Sequence, residues 1–78
     1  MKTEEEKTKA VSECKSFEEL ETVINENAPF VSNSREHPIN WEASDLLRRI
    51  DSVKKGHDLS NVTRTNGLRD KVKELLNR

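Results

Sequence analysis

This chain has little of most things that narrow a function quickly. It has one cysteine, Cys14, so no internal disulfide can form; that usage suits a reducing compartment, and a cytoplasmic protein is expected. Its two glycines, Gly56 and Gly67, stand alone and cannot build a glycine-rich phosphate cradle. His37, His57 and Cys14 are well separated, and none falls in a paired-ligand spacing such as CxxC or HxxxH. No metal and no cofactor is therefore expected. No apolar run approaches the ~20 residues that cross a bilayer, and no secretory pattern heads the chain, so no membrane role is expected. Without secretion, the triplet Asn61-Val62-Thr63 is a chance match to a glycosylation acceptor. Sequence gives no distance between Cys14 and either histidine. The chain nevertheless lacks the bulk to form a substrate pocket, and Cys14 lies near an apolar stripe where an inert thiol belongs. The expectation is a non-enzyme with no catalytic residues and no small-molecule substrate.

Apolar residues are also scarce, at 31% against 37% charged, with only three aromatic side chains in 78 residues. A chain of this length makes one small domain over residues 1–78, with a core thin enough that a partner could contribute materially to its stability.

What the chain does have is charge, and it is unevenly distributed. Residues 1–27 carry four lysines against eight glutamates, a balance of −4. Residues 28–45 carry one arginine against three acids, and residues 46–78 carry nine cations against four acids, giving −2 and +5 within a total of −1. A chain so divided could hold a basic partner at one end while the other faces an anionic surface such as nucleic acid.

Helical signals run along most of the sequence. Thr3 and Glu6 form a capping-box pattern ahead of Ala10, Val11 and Cys14, which predicts a short helix over Thr3–Cys14, frayed toward Met1 within residues 1–13. Ser16 and Glu19 repeat the pattern ahead of Phe17, Leu20, Val23 and Ile24, predicting a helix to about Asn27. Pro29 and Pro38 make residues 28–40 a loop whose apolar members, Phe30, Val31 and Ile39, cover the edge of the core rather than form a binding patch. A third helix is expected from Asn40 or Trp41 to Lys55, with Ala43, Leu46, Leu47, Ile50 and Val53 on one face. Gly56 stops that helix, and Lys54 and Lys55 suit its negative end. One or two turns around Leu59 and Val62 lead to a basic last helix over residues 67–77, carrying Leu68, Val72, Leu75 and Leu76. Nothing reads as a strand, and the predicted class is all-α with three to four helices.

The segment Cys14–Asn27 resembles the Hha/YmoA family of small enterobacterial nucleoid-associated regulators. Cys14, Ser16, Glu18, Leu20, Glu21, Val23, Ile24 and Asn27 fall on that family's C-x-T-x-[DE]-x-L-E-x-V-I-x-x-N pattern. Trp41, Ala43 and Asp45 echo its aromatic-S-A-A-D motif, so the resemblance spans residues 14–50. It implies a four-helix protein that binds the N-terminal dimerisation region of H-NS and modulates gene silencing. Glu21 and Asp45 match the two acids associated with contacting basic residues of H-NS, where an acid facing an arginine can form a charge-assisted pair that sets register. The family's D-H-R is Asp45-Leu46-Leu47 here, Pro38 delays the third helix, and a basic tail after Gly56 replaces the family's closing Val-Trp segment.

A second pattern, Leu59–Leu76, looks like a helix-turn-helix with Val62 in a short first helix, Gly67 in the turn, and Leu68, Val72 and Leu76 beneath the second. Arg64, Arg69, Lys71 and Lys73 would then contact DNA. Thr63 stands where a small alanine is usual, and Val72 comes one residue early. The leading expectation is an adaptor that modulates transcription by binding the basic surface of an H-NS-like protein, with the C-terminal helix adding positive charge toward DNA. The alternatives are a direct helix-turn-helix DNA binder and an inhibitor or immunity-type protein that blocks a basic partner.

Overall fold

The computed structural model describes residues 3–32 and 36–78. Two of its four helices begin where the sequence places a hydroxyl cap. Thr3 Oγ1 accepts the Glu6 N–H at 3.1 Å to start α1, Glu4–Ser12, whose first turn holds Glu4, Glu5 and Glu6 at the positive end of the helix. Ser16 Oγ accepts the Glu19 N–H at 3.2 Å to start α2, Phe17–Asn27, and the Glu19 carboxylate accepts in return from the Lys15 N–H. Leu20 and Ile24, one turn apart, are fully buried.

The all-α expectation needs correcting between α2 and α3. Phe30–Val31 (β1) pairs antiparallel with Asn40–Trp41 (β2), in the register Phe30 opposite Trp41 and Val31 opposite Asn40. The Ser32 N–H donates to Ile39 O at 2.9 Å beyond the ladder. Two residues are too few to show a strand's alternating period, so the sequence carries no strand signal here. The molecule is a mostly helical domain with a two-stranded sheet. Part of the expected loop, residues 33–35, lies outside the described residues, as does the Met1 end of the first helix.

β2 also explains why α3, Ala43–Lys54, starts later than its apolar spacing alone suggests, since Asn40 and Trp41 are already in the ladder. Leu46, Ile50 and Val53 are its buried stripe. Two three-residue 3₁₀ turns follow, Leu59–Asn61 and Thr65–Gly67. Asn66 (φ 55) and Gly67 (φ 74) are both left-handed and turn the chain into α4, Leu68–Leu76. Leu68, Val72 and Leu75 are its buried apolar residues.

One apolar cluster draws on every helix, together with Phe30 from β1 and Val62 from between the 3₁₀ turns. Polar ties close it around α1. Asn66 Nδ2 donates to Glu4 O at 3.1 Å and Thr8 Oγ1 at 2.8 Å. Lys71 Nζ donates to Ser12 O at 2.9 Å and Cys14 O at 3.0 Å, and Arg78 to Lys15 O at 2.9 Å. Buried Lys7 donates to Pro29 O and lies 5.6 Å from the Phe30 ring centroid. The N-terminal helix is thereby fastened to the last third of the chain.

Candidate functional site

The charge division along the sequence does not become two poles in space. α1 packs on the second 3₁₀ turn and on α4, so acidic and basic segments lie side by side.

The two acids carried over from the resemblance are separated by α3. Glu21 lies 4.0 Å from Lys54 Nζ at the C-terminal end of that helix, and Lys54 also lies 5.1 Å from the Phe17 ring centroid. Asp45, in the first turn of α3, pairs with Arg48 one turn on. Asp45 and Lys54 are nine positions apart, which on an α-helix is about half a revolution round the axis and roughly 13 Å along it. Each acid is half-exposed and has its own cation, and they flank the buried stripe from opposite sides.

The four predicted nucleic-acid contacts also part company. Lys71 is buried at 9% exposure, its ammonium held by Ser12 O, Cys14 O and the Glu74 carboxylate. It is a structural cation that satisfies carbonyls at the C-terminal end of α1. Lys73 is exposed. Arg69 Nε donates to Val62 O at 2.7 Å and its terminal nitrogen to Ser60 O at 3.1 Å, which holds the first 3₁₀ turn against α4. Arg64 is exposed, and it shares a cleft of about 430 Å³ with Arg69.

That cleft contains two residues that sequence reasoning did not assign to nucleic acid, Arg49 and Trp41. The Arg49 guanidinium sits 4.6 Å from the Trp41 ring centroid and donates to Asn61 O at 3.0 Å. Their grouping depends on the β-ladder, which carries Trp41 to the side of α3, and no spacing within one element reveals it. The sole tryptophan of an aromatic-poor chain was the available signal.

The helix-turn-helix reading loses its first helix. Leu59–Asn61 is a single 3₁₀ turn, and Val62 is extended (φ −93, ψ 130). Leu76, expected beneath the second helix, is 43% exposed while Leu75 takes the buried place.

A second cleft, of about 520 Å³, runs between α1 and α2. Ala10, Cys14 and Val23 line it together with Glu13, Glu18 and Glu19. None of these three glutamates has an ion-pair partner among the described residues. Cys14 is 4% exposed and its thiol donates to Ala10 O at 3.3 Å. Burial pushes that thiol up from its ordinary range, nearby Lys71 opposes the shift, and Glu19 and Glu13 reinforce it. A buried, protonated thiol is a poor nucleophile.

Among the described residues, no three His, Cys, Asp or Glu side chains gather as a metal site, and no helix is long and apolar enough to cross a membrane. No protein-family model matches the chain, and no match is found among curated proteins or among solved structures.

Proposed function

We propose that this chain is a non-enzymatic adaptor that binds a basic, partly apolar segment of another protein in the cleft between α1 and α2. The observation that carries the reading is the uncompensated acid around an apolar floor. Glu13, Glu18 and Glu19 have no cation partner among the described residues, whereas Lys7 is buried against Pro29 O and Glu4, away from that cleft. Unpaired surface charge beside apolar area gives a partner both steering and buried contact.

The resemblance of residues 14–50 to the Hha/YmoA family supplies the first partner to try, the N-terminal dimerisation region of an H-NS-like nucleoid protein, and with it a role in modulating transcription. Glu21 and Asp45 would serve that partner only if it displaced Lys54 and Arg48 from opposite flanks of α3. Glu13 and Glu18 need no such exchange, while one Glu19 carboxylate oxygen is taken by the Lys15 N–H.

Titrating labelled protein with that fragment and following backbone amide shifts tests the reading. Shifts are expected across residues 10–23, with binding weakened several-fold in the Glu13→Lys/Glu18→Gln double variant. Shifts confined to the surroundings of Glu21 and Asp45 would move the interface, and no shift at millimolar fragment would remove the partner.

A further inference from the structure

We infer that the cleft formed by Trp41, Arg49, Arg64 and Arg69 binds single-stranded nucleic acid, with phosphates on Arg64 and Arg69 and a base against the Arg49 guanidinium that stacks on the indole. The first argument is the bookkeeping of cations in residues 46–78. Arg48, Lys54, Lys55, Lys71 and Arg78 each lie within 4.0 Å of a carboxylate. Of the four that pair with none among the described residues, Arg49, Arg64 and Arg69 line one cleft, and Lys73 is exposed outside it. Asp58, the acid nearest in sequence to the first 3₁₀ turn, accepts the Ser60 N–H at 2.9 Å and feels the charge of Arg69 without forming an ion pair with it. Positive charge is thus gathered in one cleft and only partly offset, by Asp58.

The second argument is geometric. Arg49 is fixed through Asn61 O, and Arg69 through Val62 O and Ser60 O. Each guanidinium has five N–H donors, so these tethers leave donors over and hold the planar groups in place before a ligand arrives. Arg64 is exposed with no hydrogen bond from its side chain among the described residues, and it can swing onto a phosphate.

The third argument is the pairing of cations with an aromatic surface. Trp41 lines the same cleft, and its indole N–H is buried without an acceptor. Arginines that track a backbone beside a ring that takes a base are the recurring elements of single-strand recognition. The cleft volume of about 430 Å³ is of nucleotide size, within the roughly 300–1,000 Å³ of small-ligand sites. Duplex DNA fits poorly. Its bases are stacked away from an indole, and α4 folds its Arg69 back onto the 3₁₀ turn instead of presenting it to a groove. This surface is separate from the acid-rimmed cleft, so either site can fail without the other.

Trp41 is the only tryptophan and the chain has no tyrosine, so intrinsic fluorescence reports on this cleft alone. Full-length protein is titrated at low salt with a short oligothymidylate, with the matching duplex and with thymidine monophosphate, following Trp41 emission and, for labelled oligonucleotides, anisotropy. Expected are quenching and an anisotropy rise with the single strand, weakening as salt increases. Arg64→Ala, which breaks no internal bond, should weaken binding about tenfold and lower the salt slope by about 0.7. Lys15→Ala, which removes one exposed cation elsewhere, should leave both nearly unchanged. Absence of quenching and anisotropy change at low salt overturns the inference. So does equal weakening by Arg64→Ala and Lys15→Ala, equal or tighter duplex binding, or binding of the mononucleotide alone.

Discussion

Replacing Lys71 with methionine separates a folding role from a binding role at a residue the sequence offers to DNA. The substitution keeps most of the aliphatic stem beside Val72 and removes the ammonium. Two backbone carbonyls, Ser12 O and Cys14 O, then lose donors at 2.9 and 3.0 Å. A net hydrogen bond from a charged donor contributes about 1.5–3 kcal/mol. Relief from burying the ammonium offsets part of that loss, because desolvating a cation costs several kcal/mol. The Glu74 carboxylate is half-exposed, so water screens its contact with Lys71 and the contact adds little. A net destabilisation of about 2 kcal/mol is expected, which for a domain of this size is a fall in Tm of roughly 8–16 °C. Urea unfolding followed both by far-ultraviolet circular dichroism and by Trp41 fluorescence measures it, with the two probes expected to coincide and the m-value to hold. Lys73→Met, at an exposed neighbour on the same helix, should stay within about 0.5 kcal/mol of the parent. If Lys71→Met is as stable as Lys73→Met, the assignment of Lys71 to the end of α1 is wrong.

Other consequences can be measured on the isolated protein. Ser16→Ala removes the cap of α2 and should cost about 1 kcal/mol in the same urea assay, with Ser16→Asp restoring most of it. Gly67→Ala forces a Cβ into a left-handed position (φ 74) and should also destabilise by about 1 kcal/mol, although nothing stands within 4 Å of the added atom. Cys14 should react with a disulfide reagent far more slowly in the native protein than in urea. Because burial raises its folded value above the unfolded one, its contribution to stability is intact at neutral pH and is lost as pH rises past the ordinary thiol range. Asp58 is held below the usual carboxylate range by hydrogen bonds from Ser60, and Glu74 by its hydrogen bond from Lys71. Their contributions are present above the unfolded values and vanish as pH falls through the folded ones. The urea midpoint should therefore drop on acidification below about pH 4, and less steeply in Asp58→Asn.

The helices were legible wherever local chemistry decides them. Thr3 with Glu6 and Ser16 with Glu19 mark starts that the structure places at the same residues, because a cap is a contact between groups three positions apart. Leu46, Ile50 and Val53 likewise announce the buried face of α3. The ladder between Phe30–Val31 and Asn40–Trp41 was not legible, since two-residue strands are selected by what they pack against. The same blindness hid the arginine cleft. Arg49 meets Trp41 through that ladder, and Arg64 and Arg69 join them through a 3₁₀ turn that only the helix-turn-helix alternative makes a short helix. Leu75 and Leu76 are adjacent leucines, and the packing around α4 buries the first and leaves the second exposed.

The uneven charge of the chain also acquires a different meaning in three dimensions. Summed along the sequence it suggests two ends serving two partners, but fastening α1 to the second 3₁₀ turn, α4 and Arg78 brings those ends together. Folding then sorts the charges by fate. Lys7 and Lys71 go inside to satisfy carbonyls; Arg48, Lys54 and Lys55 are neutralised on α3; Glu21, Asp45, Asp51 and Glu74 are neutralised with their cations. What remains unpaired is not spread evenly over the surface. The glutamates lining the α1–α2 cleft and the arginines lining the Trp41 cleft are among the charges left over, and each set borders apolar surface. A charge paired at the surface contributes little to binding because a partner must first break the pair. The sets without ion pairs carry no such cost, so on the proposed readings binding energy would concentrate in these two clefts and not in the acidic and basic stretches of the sequence as such.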